Sequence, residues 1–125
     1  MSQHRLSPLG IMFLLWVLFG AMIAATYDQW PAQVATHFDF AGKPNGWMSR
    51  AANLAAFTAL GLLLPLFIYG IFSLTSVFPT QLINLPRREY WLASERRAET
   101  LRELRRQALW LGCLIIVFVA GLYVV

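Results

Sequence analysis

The sequence predicts an all-α integral membrane protein. It has three transmembrane helices, a short extracytoplasmic β-hairpin-like loop, and a long third helix extending into the cytoplasm. Three observations carry this. The composition is 58% hydrophobic and only 13% charged, with mean hydropathy +0.57, whereas a soluble domain carries roughly 25% charged residues. Charge is absent from three blocks, Leu9–Tyr27, Leu54–Phe78 and Ala108–Val125. Each is close to the roughly 20 residues that cross a hydrocarbon core of about 30 Å. Seven of the ten Lys and Arg fall between Arg87 and Arg106, and the positive-inside rule puts that segment in the cytoplasm.

Residues 1–125 therefore form a single membrane domain. Spans cover about 8–27, 51–78 and 107–125, with an outer loop at 28–50 and an Arg-rich cytoplasmic segment at 79–106. Three crossings leave the N-terminus inside and the C-terminus outside. The net charge of +4 is thus a topology signal. It does not indicate nucleic-acid binding, because Glu95, Glu99 and Glu103 interleave the arginines.

Met1–Leu6 reads as a polar arm, and Ser7-Pro8 as an N-cap with proline in the first turn. The first apolar run exceeds the 7–15 residues of a secretory signal, so an uncleaved span is expected. Gly20 and Ala24 form a small-xxx-small pair able to seat a neighbouring helix. Tyr27 to Trp30 is an interfacial exit, and Pro31 bars helix continuation.

Val34–Phe40 alternates: Val34, Thr36, Phe38 and Phe40 face one way, and Ala35, His37 and Asp39 the other. That period predicts a short strand. Lys43-Pro44-Asn45-Gly46 fits a tight turn with proline second, after which Trp47 folds back on the Phe38/Phe40 face. Ser49 caps the second span. Ala51, Ala55 and Ala59 give that helix a smooth face, and Pro65 interrupts it, freeing the Gly61 carbonyl. Ser73, Thr75 and Ser76 serve backbone groups near its end. Ser94 is the expected cap of the third helix, one continuous element from about Ser94 to about Val125. Glu99–Arg102 and Glu103–Arg106 are i,i+3 pairs along it. Trp30, Trp47 and Trp91 read as interface anchors.

Pro31, Thr36-His37-Phe38, Gly42, Pro44, Gly46, Trp47 and Arg50 together resemble the bacterial membrane domain-of-unknown-function family 1648. Asn84, Pro86, Tyr90 and Trp91 resemble a cytoplasmic motif of similar proteins. Ala35 stands where that family has a second proline, and Asn45 where it has Asp. The resemblance implies the bacterial inner membrane. It also implies kinship with immunity and signalling proteins against a secreted sporulation-delaying toxin, which are longer and carry more spans.

The binding residues expected on the outer loop are His37, Phe38, Asp39, Asn45 and Trp47, with Gly42, Pro44 and Gly46 shaping its turn. His37 serves either as a binding contact or as a hairpin residue hydrogen-bonded to Asp39, Asn45 or backbone. Catalysis is not expected, because the spans hold no Asp, Glu, His, Lys or Arg. Cys113 is the sole cysteine, and no metal or cofactor is expected. The expected partners are the lipid bilayer and its anionic inner-leaflet lipids, with an extracytoplasmic peptide or a membrane protein besides. The expected function is a binding or accessory role, immunity-like or sensory. The alternative is a structural subunit or homo-oligomer packed through the second helix.

Overall fold

The computed structural model describes residues 7–124, so the expected arm Met1–Leu6 and Val125 lie outside the described residues. Helix α1 (Pro8–Thr26) runs into a 3-10 turn at Tyr27–Gln29. Strands β1 (Gln33–Phe38) and β2 (Pro44–Ser49) form an antiparallel hairpin. Helix α2 (Arg50–Thr58) continues through a π turn (Ala59–Leu63) into α3 (Leu64–Leu74). A 3-10 turn (Thr80–Leu82) and the short α4 (Arg88–Trp91) precede α5 (Arg97–Val124). Three helical stretches, Pro8–Gln29, Arg50–Leu74 and Arg97–Val124, are long and apolar enough to cross a membrane. The chain is thus mostly helical with a small two-stranded sheet, and its three apolar helices point to a multi-pass membrane protein.

The three helices meet at Pro65. Proline has no N–H, so the Gly61 carbonyl four residues back loses its helical donor. The Trp16 indole N–H of α1 donates to that carbonyl at 2.9 Å. The missing side chain of Gly61 makes this approach possible: a Cβ there would lie 2.7 Å from Cε1 of Phe19. Gly112 of α5 does the same on the other side, where a Cβ would meet Met12 Sδ at 3.0 Å and Pro65 Cβ at 3.3 Å. Met12, Phe19, Cys113, Ile116, Val119 and Tyr123 form the buried core around this junction. The π turn is where the second helix absorbs the lost hydrogen bond.

Two expected packing faces are largely left open among the described residues. Gly20 and Ala24 are exposed, and nothing lies within 4 Å of a Cβ at Gly20. Ala51 and Ala55 are exposed too, whereas Ala59, the third residue of that row, is half-buried in the π turn. The second helix instead turns Asn53, Phe57, Gly61 and Pro65 inward, a row at spacing four, with Phe57 half-buried and the other three buried.

Helix ends depart from expectation for local reasons. The second helix stops at Leu74 rather than near residue 78. The Thr75 hydroxyl donates back to the Phe72 carbonyl at 2.6 Å and Ser76 to Ser73 at 3.0 Å, which competes with helix continuation. Ser73 contributes no such bond; its buried hydroxyl has no partner among the described residues. Ser49 caps α2 as expected, accepting the Ala52 N–H at 3.1 Å. Ser94 does not cap α5: its hydroxyl goes to Glu95 at 3.1 Å, and the helix starts at Arg97. Along α5, Glu103 and Arg106 pair at 2.8 Å. Glu99 and Arg102 form no ion pair.

Candidate functional site

The bundle presents a built feature at each end. At one end, the hairpin is anchored by Arg50. Its amide donates to the Ala32 carbonyl at 2.9 Å. Its guanidinium donates to the carbonyls of Tyr27, Asp28 and Trp30 at 3.2–3.4 Å and lies 4.8 Å from the Tyr27 ring centroid. One arginine thus ties the exit of α1 to the start of α2. Beneath it, Tyr123 of α5 is buried, with its hydroxyl 3.0 Å from that of Thr26. Trp30 stacks on the Tyr123 ring at 4.6 Å, and Phe19 and Phe57 meet it edge-on at 5.9 and 5.6 Å. Trp30, expected as an interface anchor, is a packing residue here, because Pro31 turns the chain so that its ring covers α5.

The hairpin turn lies at Asp39–Lys43, not at Lys43–Gly46. The Asp39 carboxylate accepts the amides of Ala41 and Lys43, both at 2.9 Å, and its own amide donates to the Lys43 carbonyl. Gly42 takes φ +76°, a conformation that L side chains rarely adopt. Together they close the turn one step early and draw Pro44, Asn45 and Gly46 into β2. Gly42 and Asp39 shape this turn. Asp39 is exposed, but its carboxylate is engaged with the backbone.

The pairing runs Val34 with Met48, Ala35 with Trp47, His37 with Gly46 and Phe38 with Pro44. Register shifts fall between Ala35 and His37 and between His37 and Phe38, so Thr36 and Asn45 are extra residues on their strands. These bulges break the simple alternation. His37 lies across Gly46, where a Cβ would come 2.9 Å from the His37 Cβ and Nδ1. Its Nδ1 is 3.4 Å from the Thr36 hydroxyl, so the partner is Thr36 and not Asp39 or Asn45. Trp47 does not fold back on Phe38 and Phe40. All three stay exposed, at 61%, 58% and 114%, and none joins an aromatic ring pair among the described residues. The structure thus gathers His37, Phe38, Asn45 and Trp47 on one small open hairpin, with Phe40 at its tip.

The other end is built by arginines. Arg97 donates to the Thr80 hydroxyl at 2.9 Å and the Phe78 carbonyl at 3.0 Å. Arg88 reaches the Gln81 carbonyl at 3.0 Å. Arg96 donates to the Tyr90 carbonyl at 2.8 Å and lies 3.9 Å from the Tyr90 ring centroid. The Thr100 hydroxyl donates to the Trp91 carbonyl at 2.8 Å. Ile83, Leu92 and Leu101 are buried beneath these bonds. Arg87 adopts a left-handed backbone, φ 53°, at the start of α4. The Glu89 carboxyl is held below the usual carboxylate range by the backbone amide of Glu89 itself and by the adjacent Arg88. Glu95 is lowered likewise by its own amide and the Ser94 hydroxyl. Of the expected motif, Asn84 and Pro86 are exposed, and Tyr90 and Trp91 meet edge-on at 5.0 Å. Among the described residues, His, Cys, Asp and Glu form no group of three that could hold a metal ion.

Sequence reasoning missed Trp16, Arg50 as the anchor of the hairpin base, and Tyr123. The freed Gly61 carbonyl was a signal that a donor must approach, but nothing in local sequence says from which helix. Residues 11–64 match the model of a family described as "Domain of unknown function (DUF1648)". The matched segment takes in α1 from Ile11 onward, the hairpin and the second helix through the π turn. Comparisons with curated proteins and with solved structures each gave no match. The Trp16–Gly61 contact and the Arg50-anchored hairpin both fall inside the matched segment, which covers less than half of the chain, so the likeness to that family is one of this segment.

Proposed function

We propose that this chain is a bacterial inner-membrane protein that binds an extracytoplasmic peptide through its hairpin, in an immunity-like or sensory role. The observation that carries the reading is three exposed aromatic side chains, Phe38, Phe40 and Trp47, on a hairpin with a fixed turn and an anchored base. Exposed aromatic anchors on a preorganised frame are what recognition surfaces use, since little ordering entropy opposes binding. A two-stranded sheet also leaves unpaired edges, to which an extended peptide adds by main-chain hydrogen bonds. The orientation rests on the seven Lys and Arg between Arg87 and Arg106, at the end of the bundle opposite the hairpin. Binding is preferred to catalysis because the apolar spans offer His37 no partner for chemistry.

A photo-crosslinking residue at Ala41 in living cells tests this. The expected result is a discrete protein or peptide adduct that Trp47→Ala abolishes while membrane insertion persists. Adducts with lipid alone would contradict it and make the hairpin an interfacial cap.

A further inference from the structure

Two clefts adjoin at the arginine-bearing end. The larger, about 630 Å³, lies between the loop and the charged part of α5, with Leu85, Trp91 and Leu104 as apolar lining and Arg96, Arg102 and Arg106 as its cations beside the carboxylates of Glu99 and Glu103. The smaller, about 210 Å³, lies between the end of α3 and the loop, lined by Ile71, Phe72, Phe78, Leu82 and Ile83 with few polar groups. Leu85 and Leu104 line both, so a charged groove continues into an apolar slot.

The arginines of this end are not equivalent. Arg97 and Arg88 hold the loop, as described. Arg96 is engaged with Tyr90 and with Glu95 at 3.4 Å. Arg106 makes a two-pronged pair with Glu103 at 2.8 Å. Arg102 has no carboxylate partner within 4.0 Å among the described residues, yet it lines the groove and is exposed. A guanidinium in this state offers its planar fork to a phosphate diester, and the adjoining slot offers room to an apolar chain.

We propose that the joined clefts bind one anionic glycerophospholipid, its phosphate at Arg102 and part of an acyl chain in the slot beside Leu82 and Phe72. This rests on the reading that the three helices span a bilayer and that this end lies at its surface. Free phosphate matches only half of the site, since it leaves the slot empty.

The test is lipid retention by the full chain in mild detergent, read by native mass spectrometry after exchange with phosphatidylglycerol or phosphatidylcholine. One phosphatidylglycerol is expected to be retained in preference. Arg102→Gln should cut its retention about fivefold, and Lys43→Gln, an equal charge loss on the hairpin, should leave it unchanged. A circular-dichroism melt of Arg102→Gln verifies the fold, which an exposed side chain should not disturb. Equal retention of the two lipids, unchanged retention in Arg102→Gln, or displacement by millimolar inorganic phosphate would each overturn the proposal. Carbonate extraction of membranes separates the two readings. Release of the protein would sink the membrane reading itself, whereas a protein that stays but shows no lipid preference loses only this site.

Discussion

Pro65 leaves the Gly61 carbonyl without a helical donor, and Trp16 supplies one from another helix. The local half of this arrangement was legible in the sequence, because a proline's effect four residues back is backbone geometry. The distant half was not, because it depends on which face α1 turns inward. The coupling is testable. Trp16→Phe should destabilise the protein by about 1 kcal/mol, one neutral hydrogen bond, in unfolding by sodium dodecyl sulfate. In a Pro65→Ala background the carbonyl regains its amide donor and that cost should largely vanish; equal costs in both backgrounds would show that Trp16 acts by packing alone. Gly61→Ala should cost more, about 1–3 kcal/mol, since its Cβ would overlap Phe19. Unchanged unfolding of that variant would contradict the close packing described. The hydroxyl of Tyr123 is a smaller case. Tyr123→Phe keeps the rings around it and removes only the Thr26 contact, so a loss of about 0.5–1.5 kcal/mol is expected in the same assay.

Elements were legible where a single periodicity or block decides them, and illegible where two local signals compete. The strand was visible from Val34 to Phe40. Its turn was not, because Pro-Asn-Gly and Asp-Phe-Ala-Gly are both turn text. The Asp39 carboxylate and Gly42 won, since together they satisfy two amides and admit a positive φ. Gly42→Ala should strain that turn by about 1–2 kcal/mol. Amide exchange across β1 and β2 should speed up while exchange in the three long helices stays unchanged; protected strand amides in the variant would restore the later turn. In the second helix, the alanine row was legible as a small-residue face but not as an outward one. That face is what the homo-oligomer reading needs. On that reading Ala55→Leu disrupts a detergent-stable assembly, and an unchanged particle size on gel filtration would remove the alternative.

At the scale of the whole molecule, the three apolar helices were plain from charge exclusion, a property of composition that tertiary packing does not alter. The packing of the bundle around Pro65, Gly61 and Gly112 was not, since it depends on side chains more than forty residues apart in sequence, as Trp16 and Gly61 are. Both surfaces follow from one arrangement: the aromatic hairpin at one end of a bundle of three apolar helices and the charged groove at the other. The most direct measurement is substituted-cysteine labelling in intact cells, with Cys113 replaced by serine. A membrane-impermeant maleimide should label Ala41→Cys at once and Arg87→Cys only after the membrane is permeabilised. Labelling of both positions from the same side, or of Arg87→Cys alone in intact cells, would contradict the account.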